Sequence, residues 1–218
     1  MFQSDEWLSQ YFAPERAYRY IKPYETYDFP KGFIYTKVHA DEIDVFSKLV
    51  AQEFYLVDIL LNFIQQKRIE QNTVCDTYTC RFACDADKEQ IAQIAKNAFI
   101  CSRFYRDSNI PKGVAIKIKE DWVGNYFLGK RGTHMIVAES NATIYGFMLM
   151  LDQVIDLIAV DSKYLRKGVA TKMIAFANMQ IGLLKAGTQS SNSGSIKLYQ
   201  KSGFILDQVQ LILHKHVV

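Results

Sequence analysis

The sequence has little that would direct the chain to a membrane, a disulfide framework or a nucleic acid. It contains no apolar run of about 18 residues, the length that a membrane-spanning helix needs, and residues 1–8 are acidic and unlike a signal peptide. Its four cysteines include no CxxC pair, which favours reduced thiols. The formal net charge of +3 is too small to indicate nucleic-acid binding. We therefore expect a cytoplasmic protein with no nucleic-acid partner and no membrane span.

Patterns typical of metal sites are also scarce. Cys80 and Cys84 lie four residues apart on what we predict to be one strand, so their side chains would share a face. His214 and His216 alternate in the same way near the C-terminus. Neither pair has an evident third ligand. We therefore favour structural thiols and a surface strand end over a metal centre, and we expect no metal.

Low-complexity segments and internal repeats are absent as well, and hydrophobic residues make up 49% of the chain, enough for a substantial core. The polar stretch 67–73 suggests a boundary between a small N-terminal α/β lobe, residues 1–75, and a larger domain, residues 76–218. Within the lobe we predict a strand over residues 33–38, a helix over 39–50 and one or two strands over 53–63.

The larger domain contains segments with the hydrophobic pattern of a strand and segments with that of a helix. Alternation predicts strands, and apolar residues three and four apart predict amphipathic helices. The predicted order is a strand, two helices, three antiparallel strands, a helix, a strand, a helix and further strands. The corresponding residues are strand 78–84, helices 85–99 and 116–127, strands 135–138, 145–150 and 155–160, a helix that includes 173–181, strand 185–189, a helix from Asn192, and strands at Phe204 and 209–214.

The most informative stretch covers residues 155–174. An apolar strand leads through a short loop into a helix, and Gly168 and Ala170 lie where that helix begins. The N-terminus of a helix presents unpaired N–H groups and the positive end of a dipole, so small residues there let a pyrophosphate approach the backbone. The alternative is an ordinary strand-to-helix turn.

A second stretch, residues 192–204, adds to this signal. Asn192 can cap a helix, Tyr199 lies one turn before its end, and Gly203 can end it before Phe204. Together the two stretches resemble the Gcn5-related N-acetyltransferase (GNAT) superfamily. The resemblance implies an α/β (α+β) fold whose mixed, mostly antiparallel sheet has splayed central strands flanked by helices. It also implies acetyl-coenzyme A as co-substrate.

The resemblance also assigns residues to acetyl-coenzyme A. The strand before the loop would pair with the pantetheine arm, and the loop would hold the pyrophosphate. The usual loop pattern begins with Gln or Arg, whereas this chain has Leu165 there and Arg166 one place later. The assigned residues are Leu157, Ile158, Ala159, Val160, Arg166, Lys167, Gly168, Val169, Ala170, Thr171 and Asn192.

Three further stretches, residues 53–58, 98–104 and 188–192, resemble the TDP-fucosamine N-acetyltransferases of bacterial surface-polysaccharide synthesis. These enzymes act on a TDP-4-amino-4,6-dideoxyhexose, a nucleotide-linked amino sugar. The resemblance therefore implies an N-acetyltransferase with a nucleotide-sugar substrate, and a homodimer is possible. Alternatives are a GNAT enzyme for another amine, such as a peptide N-terminus or a polyamine, and a non-catalytic acyl-coenzyme A-binding module.

The resemblance implies roles for four side chains. Tyr199 would protonate the departing thiolate, and its alternative is a core aromatic residue. Asp58 would be the base, directly or through water, where related enzymes have a glutamate; its alternative is a solvent-facing aspartate at a strand edge. Arg103 and Arg106 would meet the phosphates or the sugar, and their alternative is a solvated turn. A free N–H of Leu157 or Ile158 would stabilise the oxyanion.

Overall fold

The computed structural model describes residues 1–21, 28–69, 77–98 and 102–218. In these residues, ten strands and seven α-helices follow the chain. The strands are β1 (Phe2–Ser4), β2 (Arg16–Tyr20), β3 (Gly32–His39), β4 (Tyr55–Gln65), β5 (Thr79–Phe82), β6 (His134–Ser140), β7 (Thr143–Leu151), β8 (Val154–Val160), β9 (Lys185–Gln189) and β10 (Phe204–Val217). The helices are α1 (Glu6–Ser9), α2 (Ile43–Ala51), α3 (Lys88–Ala98), α4 (Arg103–Arg106), α5 (Lys112–Phe127), α6 (Val169–Gln180) and α7 (Ser193–Lys201).

All ten strands belong to one mixed sheet with the order β1-β2-β3-β10-β4-β9-β8-β7-β6-β5. The pairs β2–β3 and β8–β9 are parallel, and the other pairs are antiparallel. Strand β4 comes early in the chain, yet it lies between β10 and β9. Strands from both predicted segments therefore share one sheet, and the predicted division near residue 75 stays a prediction.

Two parallel strands, β8 and β9, separate at the centre of this sheet. They pair only at Val154 with Lys185 and at Ile155 with Ala186. At the same point the register of β8 against β7 shifts, because Leu149 faces Leu157 while Met150 faces Ile155. Asp156 is therefore the extra residue of a β-bulge, which bends a strand and increases its twist. The bulge directs β8 away from β9 and opens a gap in the sheet.

The helices cover two opposite faces of the sheet. Ile136 and Met148 pack with α6 and α7, whereas Val137 and Phe147 pack with α3 and α5. This alternation follows from the period of two along a strand. Helix α4 lies on the same side as α5, since Phe104 packs with Ile118 of α5. We call these the α6 face and the α5 face.

Most of the predicted elements are confirmed, with bounds that move by a few residues. The sequence did not predict β1, β2, α1 or α4, which are short and carry no long periodic pattern. The prediction that Cys80 and Cys84 share one strand is wrong, because β5 ends at Phe82. Both thiols are free, while Cys75 and Cys101 lie outside the described residues. None of the helices in the described residues has the length and apolar character needed to cross a membrane.

Candidate active site

The loop between β8 and α6 has a backbone shape that exposes N–H groups. Asp161 caps a short 3₁₀ turn by accepting a hydrogen bond from the Lys163 N–H at 2.9 Å. Arg166 and Gly168 then adopt positive φ angles of 62° and 79°, and α6 begins at Val169. Gly168 suits the left-handed conformation without strain. The first N–H groups of α6 and the positive end of its dipole thus form a site suited to an anion.

The same loop is fixed from the β5 side by an aromatic residue. The Tyr78 hydroxyl donates a hydrogen bond to the Lys167 carbonyl oxygen at 3.1 Å. A side-chain carbon added at Gly168 would lie 3.6 Å from that hydroxyl and near no other side chain of the described residues. Beside the loop is a pocket of about 260 Å³. It is lined by Thr77, Tyr78, Tyr145, Tyr164 and Lys167.

Strand β8 presents a free edge to the gap. Beyond Ile155 its residues pair with β7 on one side and, among the described residues, with no strand on the other. Every second N–H and C=O along this edge is available to an extended ligand, as at any open sheet edge. Residues 157–160, which the sequence assigned to the pantetheine arm, all lie on this edge.

Tyr199 lies on the α6 face, in the hydrophobic core. It is 2% exposed and packs between Phe63 and Phe204, with ring centroids 5.8 and 5.2 Å away. Burial raises the pKa of the Tyr199 phenol above its ordinary value. The hydroxyl therefore carries its proton at neutral pH. Asn192 caps α7, as predicted, by accepting a hydrogen bond from the Ser195 N–H at 3.2 Å.

Asp58 lies on the α5 face of β4 and is 3% exposed, so the solvent-facing alternative is wrong. Its Oδ1 accepts hydrogen bonds from the Ile59 N–H at 2.9 Å and from Arg106 Nη1 at 3.3 Å. Its buried Oδ2 has no hydrogen-bond partner among the described residues. Burial raises the pKa of Asp58, against the opposing effects of the Ile59 N–H and the arginines. A buried carboxylate with a free oxygen and a raised pKa can accept a proton.

Helix α4 brings both predicted arginines to this face. Arg106 also donates to Ser191 Oγ at 2.8 Å and so links α4 to the chain that leads from β9 to α7. Arg103 places its guanidinium over the rings of Tyr35 and Phe104, at 4.3 and 4.6 Å. Its Nη1 is buried without a hydrogen-bond partner among the described residues. Arg103 therefore does not lie in a solvated turn.

The side chain of Asp156, which the sequence did not single out, accepts four hydrogen bonds at the bulge. Its Oδ2 accepts hydrogen bonds from Trp122 Nε1 at 2.8 Å, Tyr126 Oη at 2.7 Å and Arg131 Nε at 2.8 Å. Its Oδ1 accepts from Arg131 Nη2 at 2.8 Å. Burial alone would raise the pKa of Asp156, but the hydrogen bonds from Arg131, Trp122 and Tyr126 hold it below its ordinary value. No sequence motif marked these four residues.

A second unpredicted cluster anchors α4 to the sheet. Asp107 accepts hydrogen bonds from the Tyr55 hydroxyl at 2.9 Å and contacts His214 Nδ1 at 2.7 Å and His216 Nε2 at 3.4 Å. The histidines share a face as predicted, but the expected surface position is wrong for His214, whose side chain is fully buried. Burial lowers the pKa of His214 to about 4, against the opposing hydrogen bond to Asp107. In the described part of the chain, no cluster of His, Cys, Asp or Glu side chains is suited to a metal ion.

Comparison with known proteins agrees with this architecture. Residues 131–206 match the acetyltransferase (GNAT) domain family. The chain is 29% identical over 137 residues to the spore coat polysaccharide biosynthesis protein SpsD of Bacillus subtilis, which aligns 59% of this chain with 47% of SpsD. The chain thus spans about half the length of that relative.

Solved structures share the fold at low sequence identity. A functionally unknown conserved protein from Staphylococcus epidermidis has a TM-score of 0.62 at 12% identity, covering 86% of this chain and 73% of that one. A GCN5-related N-acetyltransferase from Sphaerobacter thermophilus has a TM-score of 0.57 at 12% identity, covering 84% of this chain and 59% of that one. The chain has the GNAT fold, and residues 131–206 are similar to GNAT acetyltransferase domains.

Proposed function

We propose that this GNAT domain transfers an acetyl group from acetyl-coenzyme A to the amine of a nucleotide-linked amino sugar. The sugar would be a TDP-4-amino-4,6-dideoxyhexose used in surface-polysaccharide synthesis. One observation carries the proposal: β8 and β9 separate after Ile155, the loop at Gly168 and Tyr199 belong to the α6 face of this sheet, and Asp58 with Arg106 belongs to its α5 face. We infer that two ligands approach the gap from opposite sides of the sheet.

The α6 face fits the coenzyme. Its pyrophosphate would lie against the N–H groups that follow Arg166 and Gly168, where a helix dipole favours negative charge. The pantetheine arm would add to the free edge of β8 as an extra strand, through the N–H and C=O groups of residues 157–160. The coenzyme supplies a thioester carbonyl, which is an electrophile for an amine.

Two polar side chains, Asp58 and Tyr199, would supply the proton transfers. Asp58 Oδ2 would accept a proton from the sugar ammonium, most readily through a water molecule because aspartate is short. A β8 N–H, of Leu157 or Ile158, would stabilise the negative charge that develops on the carbonyl oxygen, an effect worth roughly 3–4 kcal/mol. Tyr199 would protonate the sulfur that leaves, since a phenol with a reference pKa of about 10 carries its proton at neutral pH.

The charges on the α5 face favour an anionic acceptor over a cationic one. Arg103 and Arg106 lie beside Asp58, which is the sole carboxylate in contact with Arg106 among the described residues. A polyamine would be repelled by these guanidinium groups, whereas a nucleotide sugar carries phosphates that they attract. The similarity to SpsD, a polysaccharide biosynthesis protein, supports the same class of acceptor.

The test is an acetyl-coenzyme A-dependent assay with a panel of amines. We expect turnover with TDP-4-amino-4,6-dideoxyhexoses, and little with spermidine or a peptide N-terminus. Tyr199→Phe should lower kcat by roughly 10²- to 10⁴-fold and leave coenzyme binding intact. Tyr18→Phe, the same change on β2, is the matched control. Faster turnover of spermidine or a peptide than of any nucleotide sugar would refute the proposal.

A further inference from the structure

The α5 face carries three positive charges, Arg19, Lys37 and Arg103, that form no ion pair within the described part of the chain. The register places Lys37 of β3, Ile212 of β10 and Asp58 of β4 in one row across three strands. The next row on the same face contains Arg19 of β2 and Tyr35 of β3. Side chains in such rows point to the same side of a sheet. Lys37 and Arg19 therefore extend the polar surface that begins at Asp58.

Arg103 also reaches this surface. It lies on the same helix, α4, as Arg106, and its guanidinium lies 4.3 Å from the centre of the Tyr35 ring, in the row of Arg19. Its buried Nη1 lacks a hydrogen-bond partner among the described residues. A buried donor of a charged group without a partner costs free energy, and a ligand that supplies an acceptor removes that cost.

The carboxylates nearby already have other partners. Asp5 accepts hydrogen bonds from the Tyr35 hydroxyl at 2.8 Å and from the Leu8 N–H at 2.9 Å. Asp58 contacts Arg106. Within the described part of the chain, Arg19, Lys37 and Arg103 form no ion pair.

The three cations also affect one another. Burial, together with the charges of Arg103 and Arg19, lowers the pKa of Lys37 to about 8. The Lys37 side chain nevertheless reaches solvent, so a ligand can contact it. The carboxylates of Asp5 and Asp58 act on Arg103 without forming an ion pair with it. A protein surface that holds three cations together with no carboxylate paired to them is suited to a ligand with more than one negative charge.

We propose that Arg103, Lys37 and Arg19 form the binding site for the diphosphate of a nucleoside diphosphate, the anionic half of the acceptor. This rests on the proposed function and deepens it. Lys37 and Asp58 are two strands apart, roughly 10 Å between backbones. That separation leaves room for a sugar ring between Asp58, at the amine, and the cations, at the phosphates. Arg106, which is held by Asp58 and Ser191, belongs to the sugar end.

The coenzyme also contains a diphosphate, but the two proposed diphosphate sites lie on opposite faces of the sheet. The loop at Gly168 opens to the α6 face, while Lys37 and Arg103 lie on the α5 face. Variants of Lys37 should therefore weaken the binding of TDP and of inorganic pyrophosphate, and leave the affinity for acetyl-coenzyme A unchanged.

The experiment is a calorimetric titration of the full chain with TDP, thymidine, inorganic pyrophosphate and acetyl-coenzyme A. We expect TDP to bind at least tenfold more tightly than thymidine, which lacks the phosphates. Lys37→Met should weaken TDP binding on the order of tenfold, the loss typical of one charged contact. Lys48→Met removes the same charge from α2, which packs on the opposite face of β3, and should change nothing.

The outcomes distinguish this inference from the proposed function. Equal affinity of TDP and thymidine, or wild-type TDP affinity in Lys37→Met, would overturn the inference even if the enzyme acetylates TDP-amino sugars. An equal loss of acetyl-coenzyme A affinity in Lys37→Met would overturn it too, because the cations would then serve the coenzyme. If TDP binds as expected but no amino sugar is acetylated, the diphosphate site stands and the proposed function fails.

Discussion

Replacing Asp156 by asparagine tests whether its side chain holds the bulge that opens the sheet. The carboxylate accepts four hydrogen bonds, two of them from Arg131. Asparagine has nearly the same shape, but one oxygen becomes an NH₂ group that faces donors. Arg131 then loses its negative partner. If the asparagine oxygen takes the place of Oδ2, the NH₂ group faces Arg131 Nη2, which loses its acceptor; in the opposite orientation Trp122, Tyr126 and Arg131 Nε lose theirs.

The magnitude follows from the burial of this cluster. Breaking a fully buried ion pair costs about 3–5 kcal/mol. Here the Asp156 side chain is 13% exposed and that of Arg131 is 33% exposed, so solvent recovers part of the loss. We expect Asp156→Asn to lower the free energy of unfolding by about 2–3 kcal/mol. For a chain of this size, this corresponds to a decrease in Tm of roughly 4–12 °C.

Urea unfolding followed by tryptophan fluorescence measures this loss, with Asp207→Asn as the control. Asp207 is exposed on β10, and the same substitution there should change the free energy of unfolding by less than about 0.5 kcal/mol. If Asp156→Asn unfolds at the same urea concentration as Asp207→Asn, the cluster does not stabilise the bulge and the reasoning is wrong.

A pH series adds a second criterion. The hydrogen bonds hold the pKa of Asp156 below its ordinary value. The contribution of Asp156 to the free energy of unfolding is therefore fully present above the ordinary pKa of an aspartate, and it is lost as the pH falls through the lowered pKa. The difference between wild type and Asp156→Asn should therefore stay constant from about pH 8 to about pH 5, and shrink below about pH 4. A difference that grows on acidification would contradict this assignment.

Three further predictions concern the other parts of the site. Acetyl-coenzyme A at 100 times its dissociation constant should stabilise the wild type by about 2.7 kcal/mol, and Gly168→Glu should abolish this stabilisation. The glutamate adds a negative charge at the loop and strain at a positive φ. Retained stabilisation would place the pyrophosphate elsewhere. Asp58→Asn should lower the acetylation rate most at neutral pH and recover partly at high pH, while Asp58→Glu keeps activity; a wild-type pH–rate profile for Asp58→Asn would exclude it as the base. Burial lowers the pKa of His214 to about 4, so on acidification the unfolded state binds a proton at His214 before the folded state does. The free energy of unfolding should therefore fall as the pH decreases from about 6.5 to about 4. His214→Asn should flatten that decline in urea titrations, and an unchanged slope would contradict the prediction.

Features that depend on near neighbours in the chain were predictable from the sequence. Gly168 marked the start of a helix, and Asn192 marked a helix cap, because both are set by local backbone geometry. The resemblance to GNAT enzymes rested on the same two stretches, and the fold that it implied is confirmed. The strands and longer helices followed from hydrophobic periodicity, which requires only the spacing of apolar residues.

The order of the strands and the gap between them were decided by the tertiary structure. Strand β4 inserts between β10 and β9 although they lie far apart in the chain, and no local pattern encodes such a pairing. That insertion buries Asp58 and His214, two polar residues whose positions in the sequence gave no sign of burial. The bulge at Asp156 depends on donors from Trp122, Tyr126 and Arg131 that reach it only when α5 packs on the sheet. Local propensity specified the pieces of the site, and long-range pairing and burial determined which of its charges meet.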